Sequence, residues 1–322
     1  MEKKKIKKRY KRMIVFLSVI AILITIKIIW IMCAISGHGS FDVEKKEIIR
    51  RANYLTSKVA TSPQQLLDEM PSGIGAQFQG EWAIYSCSMT STALANIAIL
   101  YPQNKELAIK FIGQIIDIAM SEEIREYDKL RWREDPLDGI YGNLSHISYY
   151  SHLAWMISRY KQIGGDSKYD GQYHTLCRSM NRRIRQSPIM NLPTYPGESI
   201  YIPDMLVAIV ALHNYASQYS GEYSSTVRLW IERAKKEWVD KETGLLASFL
   251  VQNGYTAEIE PPVKGSYSAL NCYYLSLIDT EFAKEQYECL KKNFKQTFPF
   301  VGLKEYHNRT CWFGMDIDAG PI

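Results

Sequence analysis

The sequence predicts an all-α protein preceded by one N-terminal transmembrane helix, and three observations carry this prediction. Apolar runs without a charged residue alternate with charged amphipathic runs along most of the chain. Past residue 40, no segment alternates strictly between apolar and polar residues over more than a few positions, so strands have little support. Near the N-terminus, one almost wholly apolar run is long enough to cross a bilayer as a helix.

The composition is typical of a packed globular protein, with 46% hydrophobic and 23% charged residues among 322. Eight of the 39 basic residues lie within residues 3–12, whereas residues 36–322 carry 30 basic against 33 acidic side chains. The net charge of +5 therefore comes from the N-terminal tail. The slightly acidic remainder argues against a nucleic-acid partner.

The basic tail, residues 1–12, is followed by the apolar run of residues 13–35. Because Lys/Arg clusters stay on the cytoplasmic side, we expect an uncleaved single-pass anchor in the lipid bilayer, with the main domain in the periplasm or at the cell surface. Lys27 lies inside the run and costs up to roughly 3 kcal/mol there, which the apolar residues on both sides offset. A cleaved signal peptide is the alternative, although no small-x-small cleavage site follows.

After a linker at residues 36–44, four charge-free runs are predicted as buried inner helices, each followed by a charged outer helix that covers it. The inner runs are residues 83–100, 144–158, 205–221 and 266–278. The outer runs are residues 104–128, 167–186, 222–241 and 279–295, and residues 48–60 form a further outer helix ahead of them. The inner helices begin 63, 58 and 63 residues apart, near Trp82, Ser145, Pro203 and Ser266. Each unit is therefore one helix hairpin of a repeat.

The connections between hairpins are long, whereas the turns within them are short. In an array of alternating hairpins, all long connections emerge on one face, and long loops in a compact domain are usually functional. These connections are residues 61–81, 129–143, 187–202, 243–265 and 296–318. The face that they form is the predicted site.

Alternating buried and exposed helices at this spacing resemble the six-hairpin (α/α) toroid folds. Those folds include glycoside hydrolases, polysaccharide lyases, terpenoid cyclases and linalool dehydratase-isomerase-like proteins. Residues 195–198, 265–271 and 316–321 look like segments of uncharacterised bacterial members of this group.

The resemblance covers residues 45–322 and implies an incomplete (α/α)6-type toroid, cut short where a fifth inner helix begins near Asp316. The ring is then open, shortened or completed by a partner chain, or the chain is a truncated fragment.

Glycoside cleavage needs two carboxyl groups across the scissile bond, and aromatic rings provide flat surfaces for sugars. Glu198 is the strongest catalytic candidate because no capping role explains it. The opposing carboxyl group is predicted to be Asp138 or Asp318, although both also fit turn or cap positions. The predicted substrate-binding residues are Trp82, Tyr85, Trp132, Tyr141, His146, Tyr195, Tyr201, Trp312 and Asp316.

Other polar residues receive structural interpretations. Asp204, beside Pro203, is expected to stabilise a helix N-terminus, and His152 and His213 are expected to be hydrogen-bonded core residues. The six cysteines lack metal-ligand spacing and are expected to be free thiols, so no metal or cofactor is predicted.

The leading hypothesis is a membrane-anchored extracytoplasmic protein that acts on a glycan or similarly polar substrate by hydrolysis or elimination. The alternatives are a linalool dehydratase-like hydro-lyase or isomerase, and a non-catalytic module that binds a glycan or a partner. The absence of P-loop, dinucleotide-binding, HExxH and GxSxG patterns disfavours nucleotide hydrolysis, NAD chemistry, zincin proteolysis and α/β-hydrolase action.

Overall fold

The computed structural model describes residues 2–35, 41–71, 75–297, 302–307, 315–316 and 320–321. It is 70% helical, which confirms the all-α prediction. The α-helices of the described residues are α1 Glu2–Ile35, α2 Phe41–Val59, α3 Pro63–Glu69, α4 Ala76–Leu100, α5 Lys105–Ala119, α6 Glu122–Trp132, α7 Ile147–Gln162, α8 Asp170–Gln186, α9 Ile202–Gln218, α10 Ser224–Glu237, α11 Gly265–Ser276 and α12 Thr280–Phe294.

The chain divides into two compact units, residues 1–54 and 55–322. The first unit contains α1, whose segment Tyr10–Trp30 is long and apolar enough to cross a membrane and is entirely exposed. The stretch Gln77–Leu100 passes the same test of length and hydropathy, but 61% of it is buried, as in the core helix of a soluble domain. The prediction of an N-terminal helix of membrane-spanning length is confirmed, whereas the exact domain boundaries stay predictions.

Within the second unit, α4, α7, α9 and α11 correspond to the four charge-free runs and pack in chain order, each against the next. The outer helices cover them: α5 lies on α4 and α7, α8 on α7 and α9, α10 on α9, and α12 on α11. The helix α7 is buried along Ile147–Tyr160, which explains why its sequence carries no charge before Arg159.

The first charged run, predicted as one outer helix, consists of two helices, α5 and α6. The break falls at Ser121, whose side-chain oxygen accepts a hydrogen bond from the backbone N–H of Ile124 at 3.4 Å and caps α6. The helix α6 then packs against α4 and against the start of α7. The site described below depends on this packing of α6.

A three-stranded antiparallel sheet lies within the predicted long loops, where the residue pattern does not predict strands. It consists of β1 Ile200–Tyr201, β2 Phe249–Asn253 and β3 Thr256–Glu260, in the order β1-β2-β3. The turn of the β2–β3 hairpin is Gly254-Tyr255, since Asn253 pairs with Thr256. The glycine is the sequence signal for this turn, because Gly254 adopts a positive φ of 61° that glycine tolerates best.

Two shorter antiparallel pairs complete the described strands: β4 Lys295–Gln296 with β5 Gly302–Leu303, and β6 Met315–Asp316 with β7 Gly320–Pro321. Where the sequence predicts the start of a fifth inner helix, the described residues are those of β6 and β7.

Packing of α7 against α11 is tested by Trp155→Ala. The Trp155 ring is fully buried, and its centroid lies 5.5 Å from that of Tyr274 on α11. We expect the free energy of unfolding to fall by about 3–5 kcal/mol, as for other buried aromatic truncations. Urea unfolding of the detergent-solubilised chain measures this, and Tyr255→Ala, at an 85% exposed position, is the control with a change below about 0.5 kcal/mol.

Candidate functional site

A cavity of about 300 Å³ lies between the first and fourth inner helices, closed by α6 and by the segment that leads into β1. Its wall is mainly aromatic and contains two glutamates and one arginine. The lining residues are Phe78, Glu81, Trp82, Tyr85, Arg131, Tyr195, Glu198, Tyr201, Tyr267 and Leu270. The volume and the lining suit a small ligand or one part of a larger one.

Arg131 joins the two acidic residues of this wall. One guanidinium nitrogen, Nη1, lies 2.8 Å from Glu198 Oε1, and the other, Nη2, lies 3.2 Å from Glu81 Oε2. The guanidinium carbon lies 3.6 Å from the ring centroid of Tyr195, which is a cation–π contact. Because the two nitrogens of one planar guanidinium are about 2.3 Å apart, the two carboxylate oxygens are at most about 8 Å apart.

A close approach of two helices brings Glu81 to Arg131. Gly80 of α4 faces Tyr127 of α6, and a Cβ atom at position 80 would lie 2.5 Å from the Tyr127 Cβ. A side chain there would push the helices apart. Arg131 lies one turn beyond Tyr127, so the glycine sets its distance from the Glu81 carboxylate.

Burial raises the pKa of Glu81 from 4.5 to about 7. Arg131 opposes this shift, and the negative charge of Asp204 reinforces it. Burial has the larger effect on the pKa of Glu81 because Arg131 is shared with Glu198 and because the Glu81 side chain is only 10% exposed. Near neutral pH, a large share of Glu81 therefore carries a proton that it can donate.

Asp204 lies behind the cavity wall in the first turn of α9. Its Oδ1 accepts a hydrogen bond from the Tyr85 hydroxyl at 3.1 Å, and that hydroxyl is also 3.4 Å from Glu81 Oε1. His152 Nε2 lies 3.7 Å from the same Asp204 oxygen, while its Nδ1 is 2.7 Å from Ser88 Oγ. Asp204 therefore does more than stabilise a helix terminus, since it connects α9 to α4 and α7.

The ring that supports Arg131 is fixed by hydroxyl groups. The Tyr195 hydroxyl lies 3.1 Å from Ser148 Oγ, and the same Ser148 oxygen lies 3.3 Å from the Tyr127 hydroxyl. Burial raises the pKa of Tyr195 well above its ordinary value, so this hydroxyl keeps its proton. The Tyr195 ring is thereby held against both α6 and α7.

His146 belongs to a separate cluster at the junction of α6 and α7, in which His146 and Asp128 are fully buried. Its Nδ1 lies 2.5 Å from Asp128 Oδ2, and its Nε2 lies 3.2 Å from Glu134 Oε2. The Trp132 ring centroid is 5.5 Å from that of His146. These contacts attach the C-terminal end of α6 to the start of α7.

The structure brings five of the predicted site residues together at the cavity: Trp82, Tyr85, Tyr195, Glu198 and Tyr201. Trp132 and His146 lie in the cluster at the junction of α6 and α7, and Asp138 and Tyr141 are exposed on the 3-10 turn Asp138–Tyr141. Trp312 and Asp318 lie outside the described residues, and Asp316 belongs to β6.

Sequence reasoning did not select Glu81, Arg131 or Asp204 as site residues. Glu81 was assigned to a loop because the first inner helix was predicted to begin at residue 83, whereas α4 begins at Ala76. Because α4 begins at Ala76, Glu81 and Tyr85 lie one turn apart on one face of the helix. This spacing is visible in the sequence and could have identified Glu81 as a neighbour of Tyr85. Arg131 has no local signal in the sequence, since its role depends on how α6 packs against α4.

No family model matches the sequence, and no match is found among curated proteins. Within the described part of the chain, no group of three or more His, Cys, Asp and Glu side chains is arranged to hold a metal ion.

The pKa of Glu81 has a measurable consequence for stability. Because the folded protein holds this proton up to about pH 7 and the unfolded chain releases it near pH 4.5, stability falls as pH rises between these values. The loss from this group is roughly 3 kcal/mol, and Glu81→Gln removes it. Urea unfolding of both proteins from pH 4.5 to 8 measures the difference, and a pH-independent difference would contradict the shift.

Proposed function

We propose that the protein is a membrane-anchored enzyme that cleaves a glycan or a related polar substrate by acid-assisted hydrolysis at this cavity. The observation that carries the proposal is a pair of glutamates, the buried Glu81 and the more exposed Glu198, held by the same Arg131 in the wall of an aromatic-lined cavity. Burial raises the pKa of Glu81 to about 7, which suits it to donate a proton. A general acid opposite a nucleophile or base is the arrangement that glycoside hydrolysis needs.

Glu81 acts as the general acid. Its proton goes to the glycosidic oxygen as the bond from that oxygen to the anomeric carbon breaks, and the developing positive charge on the sugar is stabilised by the nearby carboxylates. Arg131 holds the resulting Glu81 carboxylate after the proton has left. Tyr85 and Asp204 hold the Glu81 side chain in position from behind.

Glu198 supplies the second carboxylate. Its side chain is 40% exposed, so water can reach it, and Arg131 and the Tyr201 hydroxyl orient it at 2.8 and 3.3 Å. It either removes a proton from the attacking water or attacks the sugar itself. The upper limit of about 8 Å between the two carboxylates is compatible with both routes.

The architecture proposed for this enzyme is the incomplete (α/α) toroid, with the main domain outside the cytoplasm. The toroid is supported by the four inner helices, which pack in chain order and are covered by outer helices. The location of the main domain outside the cytoplasm is supported by the basic N-terminal tail ahead of the apolar helix.

A non-catalytic glycan-binding module is the second candidate. It is favoured by the fact that Arg131 already pairs with both Glu81 and Glu198, which limits how freely either can act on a bond. The two candidates differ in whether a bound glycan is cleaved.

Turnover tests the assignment of Glu81. The detergent-solubilised chain is incubated with neutral, amine-bearing and acidic oligosaccharides, and products are detected by mass spectrometry. We expect products that have gained one water, and we expect Glu81→Gln to lower the rate at least about 100-fold, because proton donation is lost. Glu123→Gln, an exposed position on α6, is the matched control with an unchanged rate. Binding without any product would favour the module, and equal rates for Glu81→Gln and the wild type would remove Glu81 from the mechanism.

A further inference from the structure

The β1-β2-β3 sheet has one face turned away from the core. Paired residues on neighbouring strands share a face, so Tyr201, Phe249 and Glu260 lie on the same side, and Val251 and Glu258 continue it. Val251 is 44% exposed, whereas the neighbouring residue on the opposite side, Leu250, is fully buried. This side, the open sheet face, presents flat apolar and acidic groups to solvent.

The open sheet face continues directly from the cavity. Tyr201 and Tyr267 both line the cavity, and their ring centroids lie 5.0 and 5.1 Å from that of Phe249. These three half-buried rings, here called the aromatic platform, connect the cavity to the hairpin. The five residues of β2 extend the surface by roughly 15 Å, which is more than a single sugar needs.

The charges along this path favour a ligand without acidic groups. Glu258 accepts a hydrogen bond from Asn253 at 3.0 Å, and Glu260 accepts one from Ser199. Among the described residues, neither glutamate forms an ion pair. One cation lies at the platform: Lys264 Nζ, 5.4 Å from the ring centroids of Phe249 and Tyr267.

We infer that the cavity, the aromatic platform and the open sheet face form one groove for a glycan chain of several sugars that carries no acidic groups. This inference rests on the proposed function and names its substrate class. Flat rings accept the apolar faces of sugars, and the glutamates accept hydrogen bonds from hydroxyl or amine groups. A uronate or sulfated chain would bring like charges together, which disfavours binding.

The same charges favour hydrolysis over β-elimination. Elimination removes a proton next to a sugar carboxylate, and that carboxylate must be neutralised while the carbanion forms. Among the described residues that line the cavity, Arg131 is the cation, and Glu81 and Glu198 already hold it. A neutral chain needs no such cation, and its cleavage adds one water.

Binding to a printed glycan array tests the inference with the detergent-solubilised Glu81→Gln variant, which preserves bound chains. The array carries neutral, amine-bearing and uronate-containing oligosaccharides of two to six sugars. We expect binding of neutral or amine-bearing chains, stronger for four or more sugars than for two. Preferential binding of uronate chains, equal binding at all lengths, or no binding at all would overturn the inference.

Two sets of variants locate the groove on the chain that binds best. Phe249→Leu keeps an apolar side chain but removes the flat ring, and we expect it to weaken binding of long chains about tenfold while leaving disaccharides unchanged. Tyr287→Ala, 52% exposed on α12, is its control. Glu258→Gln combined with Glu260→Gln should reduce the discrimination against uronate chains, whereas Glu232→Gln on α10 should not.

Failure of the inference and failure of the proposed function give different results. Cleavage of a disaccharide at the same rate as a hexasaccharide would contradict the extended groove and support the proposed hydrolase. Length-dependent binding of neutral chains without cleavage by the wild type would support the groove and overturn the enzyme.

Discussion

The guanidinium of Arg131, shared between Glu81 and Glu198 and stacked on Tyr195, is the contact on which the site depends. A buried carboxyl group with a cation to itself would ionise at neutral pH, because the attraction would offset the cost of burial. Here Glu198 takes the shorter contact, at 2.8 against 3.2 Å, and Asp204 adds a further negative charge near Glu81. Glu81 therefore keeps its proton to about pH 7, although the same arginine contacts both glutamates.

The packing of α6 against α4 and α7 positions Arg131 for these contacts. Arg131 reaches the cavity because α6 packs against α4, where Gly80 allows the two helices to touch. On the other side, the buried pair of His146 and Asp128 holds the end of α6 against α7. The site thus draws its precision from helices, while the sheet and the segment that leads into β1 supply the aromatic rings and Glu198.

Hydrophobic pattern and spacing were sufficient to predict the four inner helices and their outer covers, because charge-free runs in a globular domain are buried and charged amphipathic runs cover them. They did not reveal the break between α5 and α6. Five of the residues selected from the long connections and the helix start beside them line the cavity: Trp82, Tyr85, Tyr195, Glu198 and Tyr201. The pattern could not reveal Arg131 or Asp204, since the partners of each are far away in the chain. It also could not show that Asp138 and Tyr141 face solvent, because exposure is decided by how the 3-10 turn packs on α8.

The protonation state of Glu81 is the central claim, and infrared spectroscopy observes it directly. The C=O stretch of a protonated carboxyl group is recorded as a difference between the wild type and Glu81→Gln over pH 4 to 9. The account predicts a band that disappears with a midpoint of about pH 7. A midpoint near the ordinary value of 4.5, with Glu81 ionised at neutral pH, would contradict the assignment of this residue as the proton donor.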